Sequence, residues 1–374
     1  MPAFTLLLLA TVGSFANYAP LLSVVPVWAA HGGSPAAGVG ATTGVTMAAT
    51  VAAQFAMRPL MRRIGLSRLL ALGSLLLGLP TLGYALSDAL PPVLLFSALR
   101  GAGFGVVAVS GSALTAVLVP PERRGRAVGL YGVAVGVPQL IGLPLGLWTA
   151  EHLGFRPVFV ATALLSLASA PLASLIREAG PSPATASAPD AARPAHRPAR
   201  GLSRPTALMV AAAAAIGVLT AFLPLTPGIS GGTVSAALLL LSAGIVLGRW
   251  AAGHWSDRHG AGRLQLPAAA CSALGVGGLA AAAAGGAPAG VLAGAAVYGL
   301  AFGVLQNDTL SVMFQRTDPG HAGTVWNVAY DGGTGIGSLG AGAAAHAAGI
   351  PATFALTAAA IATTTASTLR RPRP

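Results

Sequence analysis

Apolar residues in this chain come in long unbroken runs. Twelve of them are long enough for a helix to cross the ~30 Å of hydrocarbon in a bilayer. They cover about 4–28, 39–57, 67–87, 92–118, 127–149 and 157–176, then 206–225, 233–252, 264–284, 288–313, 322–345 and 351–369. Several are rich in Gly, Ala and Pro, which disfavours a helix in water. In a bundle within lipid, small side chains let helices approach closely, and neighbours re-satisfy backbone groups near proline. The first run resembles a secretory signal. It lacks a basic leading segment and its apolar stretch is too long, so it reads as a retained helix.

The pattern breaks between the sixth and seventh runs. Residues 177–205 are rich in Pro, Ala, Ser and Arg and have no periodicity, which is the composition of a flexible linker. The chain divides into a six-helix unit over 1–176, a cytoplasmic linker over 177–205 and a second six-helix unit over 206–374. Charged residues make up only 8% of the 374, against roughly 25% in an average soluble domain. So few charges cannot cover a soluble surface of this size. The expected fold is all-α and integral to the membrane.

Charge placement sets the topology. The net charge is +12 and all 21 basic residues are arginine. With the N-terminus inside, nineteen fall on the cytoplasmic side: Arg58, Arg62, Arg63 and Arg68; Arg123, Arg124 and Arg126; the linker arginines; Arg249, Arg258 and Arg263; Arg316; and Arg370, Arg371 and Arg373. Arg156 falls outside, and Arg100 lies within a run. This is the positive-inside pattern of a multi-pass cell-membrane protein with both termini in the cytoplasm. A nucleic-acid surface would not distribute its arginines loop by loop. The single Cys271 allows no internal disulfide or cysteine metal cluster and reads as a small buried residue.

The halves resemble each other. At an offset of 195 residues, Arg62-Arg63-Ile64-Gly65-x-x-Arg68 aligns with Asp257-Arg258-His259-Gly260-x-x-Arg263, and Leu130–Ala134 with Val325–Ala329. At an offset of 198, the stretch from Arg100 to Gly105 aligns with that from Tyr298 to Gly303. Three matches in the same order indicate a duplicated unit, hence two pseudo-symmetric six-helix bundles, a known transporter plan.

Gly253-x-x-x-Asp257-Arg258-x-Gly260-x-x-Arg263 resembles the loop motif of the major facilitator superfamily (MFS). The N-terminal copy departs from it, with Arg62 at the acidic position and Arg58 at the glycine. Arg100 and the glycines after it resemble that family's fourth-helix motif. Gly132, Gly136, Pro138, Gly142 and Pro144 resemble the fifth-helix motif of its proton-coupled exporters, with a valine separating the usual Gly-Pro pair. The resemblance implies the drug and metabolite efflux branch. It also implies a conformational gate at Gly253, Asp257, Arg258, Gly260 and Arg263, with the Asp257 latch reaching the opposite half near residues 123–126. Through the cavity-lining first, fourth, seventh and tenth helices of that family, it favours Asn17, Arg100, Tyr298 and Asp308 as cavity residues.

Charges inside a membrane helix are costly, about 2.5–3.5 kcal/mol each on insertion scales. Arg100, Asp308 and Asp331 are therefore the candidates for proton coupling or substrate binding. Arg100 and Asp331 are expected near the midplane, at matching depth. Gln306, Asn307, Trp326, Asn327 and Tyr330 are further cavity candidates, and Tyr18, Gln54, Gln139 and Thr309 are other polar residues in or near the runs.

The stretch from Gly335 to Gly340 matches the G-x-G-x-x-G of a dinucleotide loop. That fingerprint needs an acid about twenty residues on. Asp331 is the last acid in the chain, so Gly333 and Gly337 read instead as a helix-packing pair. No metal-binding spacing, Walker sequence or catalytic set occurs, so neither an enzyme nor a cofactor is expected. The sequence points to a monomeric secondary transporter, a proton-coupled exporter of a small organic or lipophilic compound. A nutrient importer and a non-transporting scaffold or sensor are the alternatives.

Overall fold

The computed structural model describes residues 3–120, 123–177, 201–317 and 319–370. Most of the expected linker, residues 178–200, lies outside them, as do Arg371 and Arg373. Among the described residues the chain forms twelve long helices: α1 (Ala3–His31), α2 (Ala36–Arg63), α3 (Leu66–Gly83), α4 (Leu90–Leu118), α5 (Arg124–Leu153), α6 (Phe155–Ser174), α7 (Ser203–Phe222), α8 (Gly231–His259), α9 (Gln265–Ala284), α10 (Pro288–Arg316), α11 (Pro319–Ala348) and α12 (Ile350–Arg370). Many extend several residues past the apolar runs. A 30-residue helix such as α5 spans ~45 Å, the hydrocarbon plus both headgroup layers.

Helix ends follow local chemistry. Pro288 opens α10 where its missing N–H costs nothing, and the Ser230 hydroxyl accepts the Thr233 N–H at the start of α8. Gly154, at φ +87°, makes the turn from α5 into α6 without a Cβ clash.

Helix pairing repeats between the halves. In the first, α1 packs on α5 and α6, α2 on α4, and α3 on α4 and α6. In the second, α7 packs on α11 and α12, α8 on α10, and α9 on α10 and α12. The main contacts between halves are α2 with α11 and α5 with α8, equivalent pairs under the duplication. Among the described residues, eleven helices are long and apolar enough to cross a membrane. The exception is α11, the helix wedged between α7 and α2. Its glycines, its one amide Asn327 and the Asp331 carboxylate lower its hydropathy, and its position among other helices is what tolerates them.

The Gly333/Gly337 pair does pack as expected. A Cβ on Gly337 would collide with the backbone of Ala214, and one on Gly333 with the Val210 carbonyl, both on α7. On the α2 side, Gly335 lies against Met47, and Ser338 donates to the Gly40 carbonyl at 3.1 Å. Many buried hydroxyls bond within their own helix. Thr11, Thr46, Ser74, Ser110, Thr162, Thr220, Ser272 and Thr309 each donate to the carbonyl four residues back. Cys271, expected to be buried, is exposed on α9.

The halves are sealed at one end and parted at the other. At the arginine-poor end, Gly342 of α11 abuts Ala36 of α2, and Gly231 of α8 abuts Glu151 of α5. Toward the arginine-rich end the contacts stop. Val128, Leu130 and Val133 of α5 are exposed around the helix, Gly129 and Gly132 have open space beside them, and Phe55 of α2 is 65% exposed. The fifth-helix residues are expected to serve helix packing or bending; packing does not hold for Gly132 and Gly136, since nothing lies within 4 Å of a Cβ at either. Gly142 does pack, on Ala19 and Pro20 of α1, while Pro138 is buried and Pro144 half-buried.

Replacing Gly337 with leucine should force α11 off α7. The expected cost is about 1–3 kcal/mol or more, read as a lowered unfolding midpoint in detergent. Gly340→Ala, in open space within the same helix, should leave the midpoint unchanged or slightly raised, since alanine is the better helix former.

Candidate functional site

Where the sealed contact ends, Gln54 of α2 donates from Nε2 to Oδ2 of Asp331 on α11, at 2.7 Å. Asp331 is 4% exposed, and the Oε1 of Gln54 is buried without a partner. The bond joins the two halves across 277 residues of chain. Eighteen residues of α2 precede Gln54 and seventeen of α11 follow Asp331, so both lie ~25 Å in from the arginine-poor end.

Arg100 does not meet Asp331. It is ten residues into α4 from the same end, ~15 Å, so the two differ in depth by ~10 Å. Its Nη1 donates to the Tyr84 hydroxyl at 3.4 Å, the guanidinium lies 5.7 Å from the Tyr84 ring centre, and Nε has no partner. Tyr18 stands between, within electrostatic reach of both Arg100 and Asp331 and stacked on Phe104 at 3.5 Å between ring centres. A small chamber is lined by Tyr18, Thr42, Thr43, Thr46 and Arg100.

Arg249 is the residue that sequence reasoning misplaced. Grouped with the cytoplasmic arginines, it instead lies eighteen residues into α8, half-buried, with Nε donating to Oε1 of Gln306 on α10. The repeat held the signal: the 195-residue offset that aligns the loops also superposes Gln54 on Arg249. Tyr330 lies within electrostatic reach of both Arg249 and Asp331. It belongs to a ladder of near-parallel rings, Tyr298–Phe302–Tyr330–Trp326, with centres 5.5–6.0 Å apart.

Several other candidates serve packing. Asn17 is fully buried, and its Nδ2 donates to Thr81 of α3 at 3.1 Å. Tyr298 is fully buried, with its hydroxyl donating to the Ala212 carbonyl of α7 at 2.8 Å. Neither reaches the parting between the halves. Gln306 is buried under Arg249, Asn307 accepts from Ser311 at 3.4 Å, and the Trp326 Nε1 donates to Thr309 at 3.3 Å. Asn327 is exposed.

Asp308 is not a free cavity carboxylate. Its two oxygens accept the Gly262 N–H at 2.9 and 3.1 Å, and the backbone N–H groups of Leu264 and Gln265 lie within electrostatic reach. An anion there suits the positive N-terminal end of α9. It pins the α8–α9 loop, which turns through Gly260 (φ +82°) and Gly262 (φ +93°). Asp257, Arg258 and Arg263 of the same motif are exposed, and Asp257 has no bonded partner among the described residues. Gly253 only approaches Asn307, its nearest neighbour lying 3.8 Å from an added Cβ. Among the described residues, no hydrogen bond or ion pair joins these gate residues to the opposite half.

Asp308→Ala should orphan those loop amides and lower stability by about 1–3 kcal/mol in thermal unfolding. Asp257→Ala should stay within about 0.5 kcal/mol of the native protein.

The sequence profile of the Major Facilitator Superfamily matches residues 6–338. The chain is also similar to an uncharacterized MFS-type transporter of Mycobacterium tuberculosis, 34% identical over 101 residues. That match covers 26% of this chain and only 15% of the relative's own length. Among solved structures it resembles the inward open conformation of the xylose transporter XylE from E. coli, with TM-score 0.76 and 15% identity over 100% of this chain and 97% of that one. It resembles an inward-facing bacterial homolog of the human lysosomal transporter Spinster with TM-score 0.74 and 14% identity, over 97% and 94%. The nucleoside transporter NupG gives TM-score 0.74 and 12% identity, over 98% and 99%. At these identities the structures bear on the fold. The profile match over most of the chain settles the family: this is a multi-pass membrane protein of the Major Facilitator Superfamily.

Proposed function

We propose that the chain is a secondary transporter working by alternating access, which exports a small organic compound across the cell membrane in exchange for protons. In this reading the arginine-rich end and both termini are cytoplasmic. The halves 1–176 and 206–374 rock about the midplane as units joined by the linker 177–205, with Asp331 as the proton carrier. The observation that carries the reading is the Gln54–Asp331 bond at the inner limit of the sealed contact, with Gln54 Oε1 unpartnered beside it.

A proton on Asp331 turns the carboxylate into a donor. The neutral acid can give its O–H to Gln54 Oε1 while still accepting from Nε2. That satisfies a buried atom otherwise left without a partner, at a cost typical of about 1–3 kcal/mol. Protonation therefore fastens α2 to α11 and favours the state sealed at the arginine-poor end. A proton loaded from outside drives the empty carrier to face inward, and its loss inside loosens the contact so that cargo can return outward. That is the order of an exchange cycle. The fifth-helix residues Gly142 and Gly146 lie against Pro20 of α1, close enough for α5 to slide or tilt on α1 without bulky side chains intervening. When the arginine-rich end closes, the loop bearing Asp257 and Arg258 approaches the opposite half and supplies the latch.

Spin labels at Arg63, exposed at the end of α2, and Arg263, exposed on the α8–α9 loop of the opposite half, test this. In the native protein the distance between them should lengthen as pH falls, because protonation holds the arginine-rich end apart. Asp331→Asn, which keeps both amide-like bonds to Gln54, should sit at the long distance at every pH and abolish substrate-driven proton movement in vesicles. A native distance indifferent to pH, or an Asp331→Asn variant that titrates like the native protein, would sink the proposal.

A further inference from the structure

Four charged side chains lie within the helices away from their ends, among the described residues: Arg100, Arg249, Asp308 and Asp331. The two carboxylates are engaged elsewhere, Asp308 on the α8–α9 loop and Asp331 on Gln54. The arginines bond only neutral groups, Tyr84 and Gln306. With Asp308 drawn out to the α8–α9 loop, two guanidiniums stand against the single carboxylate of Asp331, and the centre of the protein is left with a net positive charge. A buried cation without a counter-charge is costly, and an anion arriving from outside offsets that cost.

The duplication indicates where. Offsetting Gln54 by 195 residues gives Arg249, and the same offset relates Asp331 to Gly136. In the α2–α11 contact an amide on one helix meets a carboxylate on the other. In the equivalent α8–α5 contact, α8 carries a guanidinium and α5 carries only a glycine, with nothing within 4 Å of where its Cβ would be. Both positions lie at the level where those helices part. Gln306 holds the Nε edge of Arg249, and the other guanidinium nitrogens have no partner among the described residues. Beside it, half-buried Tyr330 and Trp326 close the aromatic ladder.

We infer that Arg249, fixed by Gln306, receives the anionic group of the cargo, and that this cargo is an organic anion with an apolar or aromatic body seated against Tyr330 and Trp326. A carboxylate and a phosphate both fit a guanidinium's paired N–H groups. The inference rests on the transport reading only in taking the bound molecule to be cargo.

The test is a tryptophan-fluorescence titration of the full-length protein in lipid nanodiscs with benzoate, phenyl phosphate and the neutral benzamide. At least one of the two anions should give a saturable change that benzamide does not, and the better one identifies the oxyanion. Arg249→Gln should weaken anion binding roughly 30-fold or more, with Arg249→Lys intermediate because it keeps the charge but loses the fork. Gln306→Glu keeps the arginine and places a carboxylate on it. It should block anion binding in a protein that unfolds no earlier than the native one, which answers the objection that Arg249→Gln merely misfolds. Binding of benzamide as tight as that of the anions, no saturable response to either anion, or undiminished anion binding in Gln306→Glu would overturn the inference. Binding is read without a gradient. A protein that takes the anion and moves nothing would retire the transport reading and leave this one standing.

Discussion

Close backbone approach along α11 is the constraint around which the molecule is arranged. On one face, Gly333 and Gly337 bring it against the main chain of α7; on another, Gly335 and Ser338 bring it against α2. A helix held between two others at backbone distance keeps those two faces out of lipid. It is thereby free to carry Asp331, Tyr330 and Trp326, which an outer helix would bear at a cost of several kcal/mol per charge. Both the polar content of the centre and the seal between the halves follow from this placement. The glycines that make the packing possible also remove the side chains that would oppose a change of tilt.

The duplicated unit is plain in the pairing of helices and absent from the chemistry at the two equivalent contacts. One carries an amide and an acid, the other a guanidinium and a glycine. After duplication, the shared scaffold needed only to preserve small residues at crossings, and the positions level with the midplane were free to diverge. An asymmetric pair of contacts lets a single molecule treat two ligands differently, whereas a faithful repeat would have made them alike.

The architecture was largely legible in the sequence because the bilayer imposes a length and the arginines mark one side. Every apolar run found its helix, and the dinucleotide-like glycines proved to lie on one continuous helix, α11. The site was legible in part. Asp331 stood out as an acid in an apolar run, and Gln54 only as one polar residue among several. Arg249 was masked by its nearness to a basic loop, which hides how far a long helix carries a residue inward. Asn17 and Tyr298 were misread because facing the centre of a six-helix bundle differs from facing the cavity between two. Asp308 was misread because its partners are backbone N–H groups, which leave no trace in side-chain patterns. Depth counted from run ends placed Arg100 too near Asp331, since the helices overrun the runs by unequal amounts.

The hydroxyls that bond four residues back carry a consequence for biogenesis. Thr46, Ser110, Thr220 and Thr309 satisfy their donors within the helix that bears them, so that helix can leave the translocon for lipid before any neighbour has been made. Asn17, Arg100 and Asp331 have no such local remedy. Asp331 finds Gln54 in a segment synthesised far earlier, and Arg100 rests on Tyr84 just upstream. For Asp331 and Arg100 the order of synthesis thus supplies a partner already in the membrane, whereas Asn17 and Arg249 wait for Thr81 and Gln306 on helices made later.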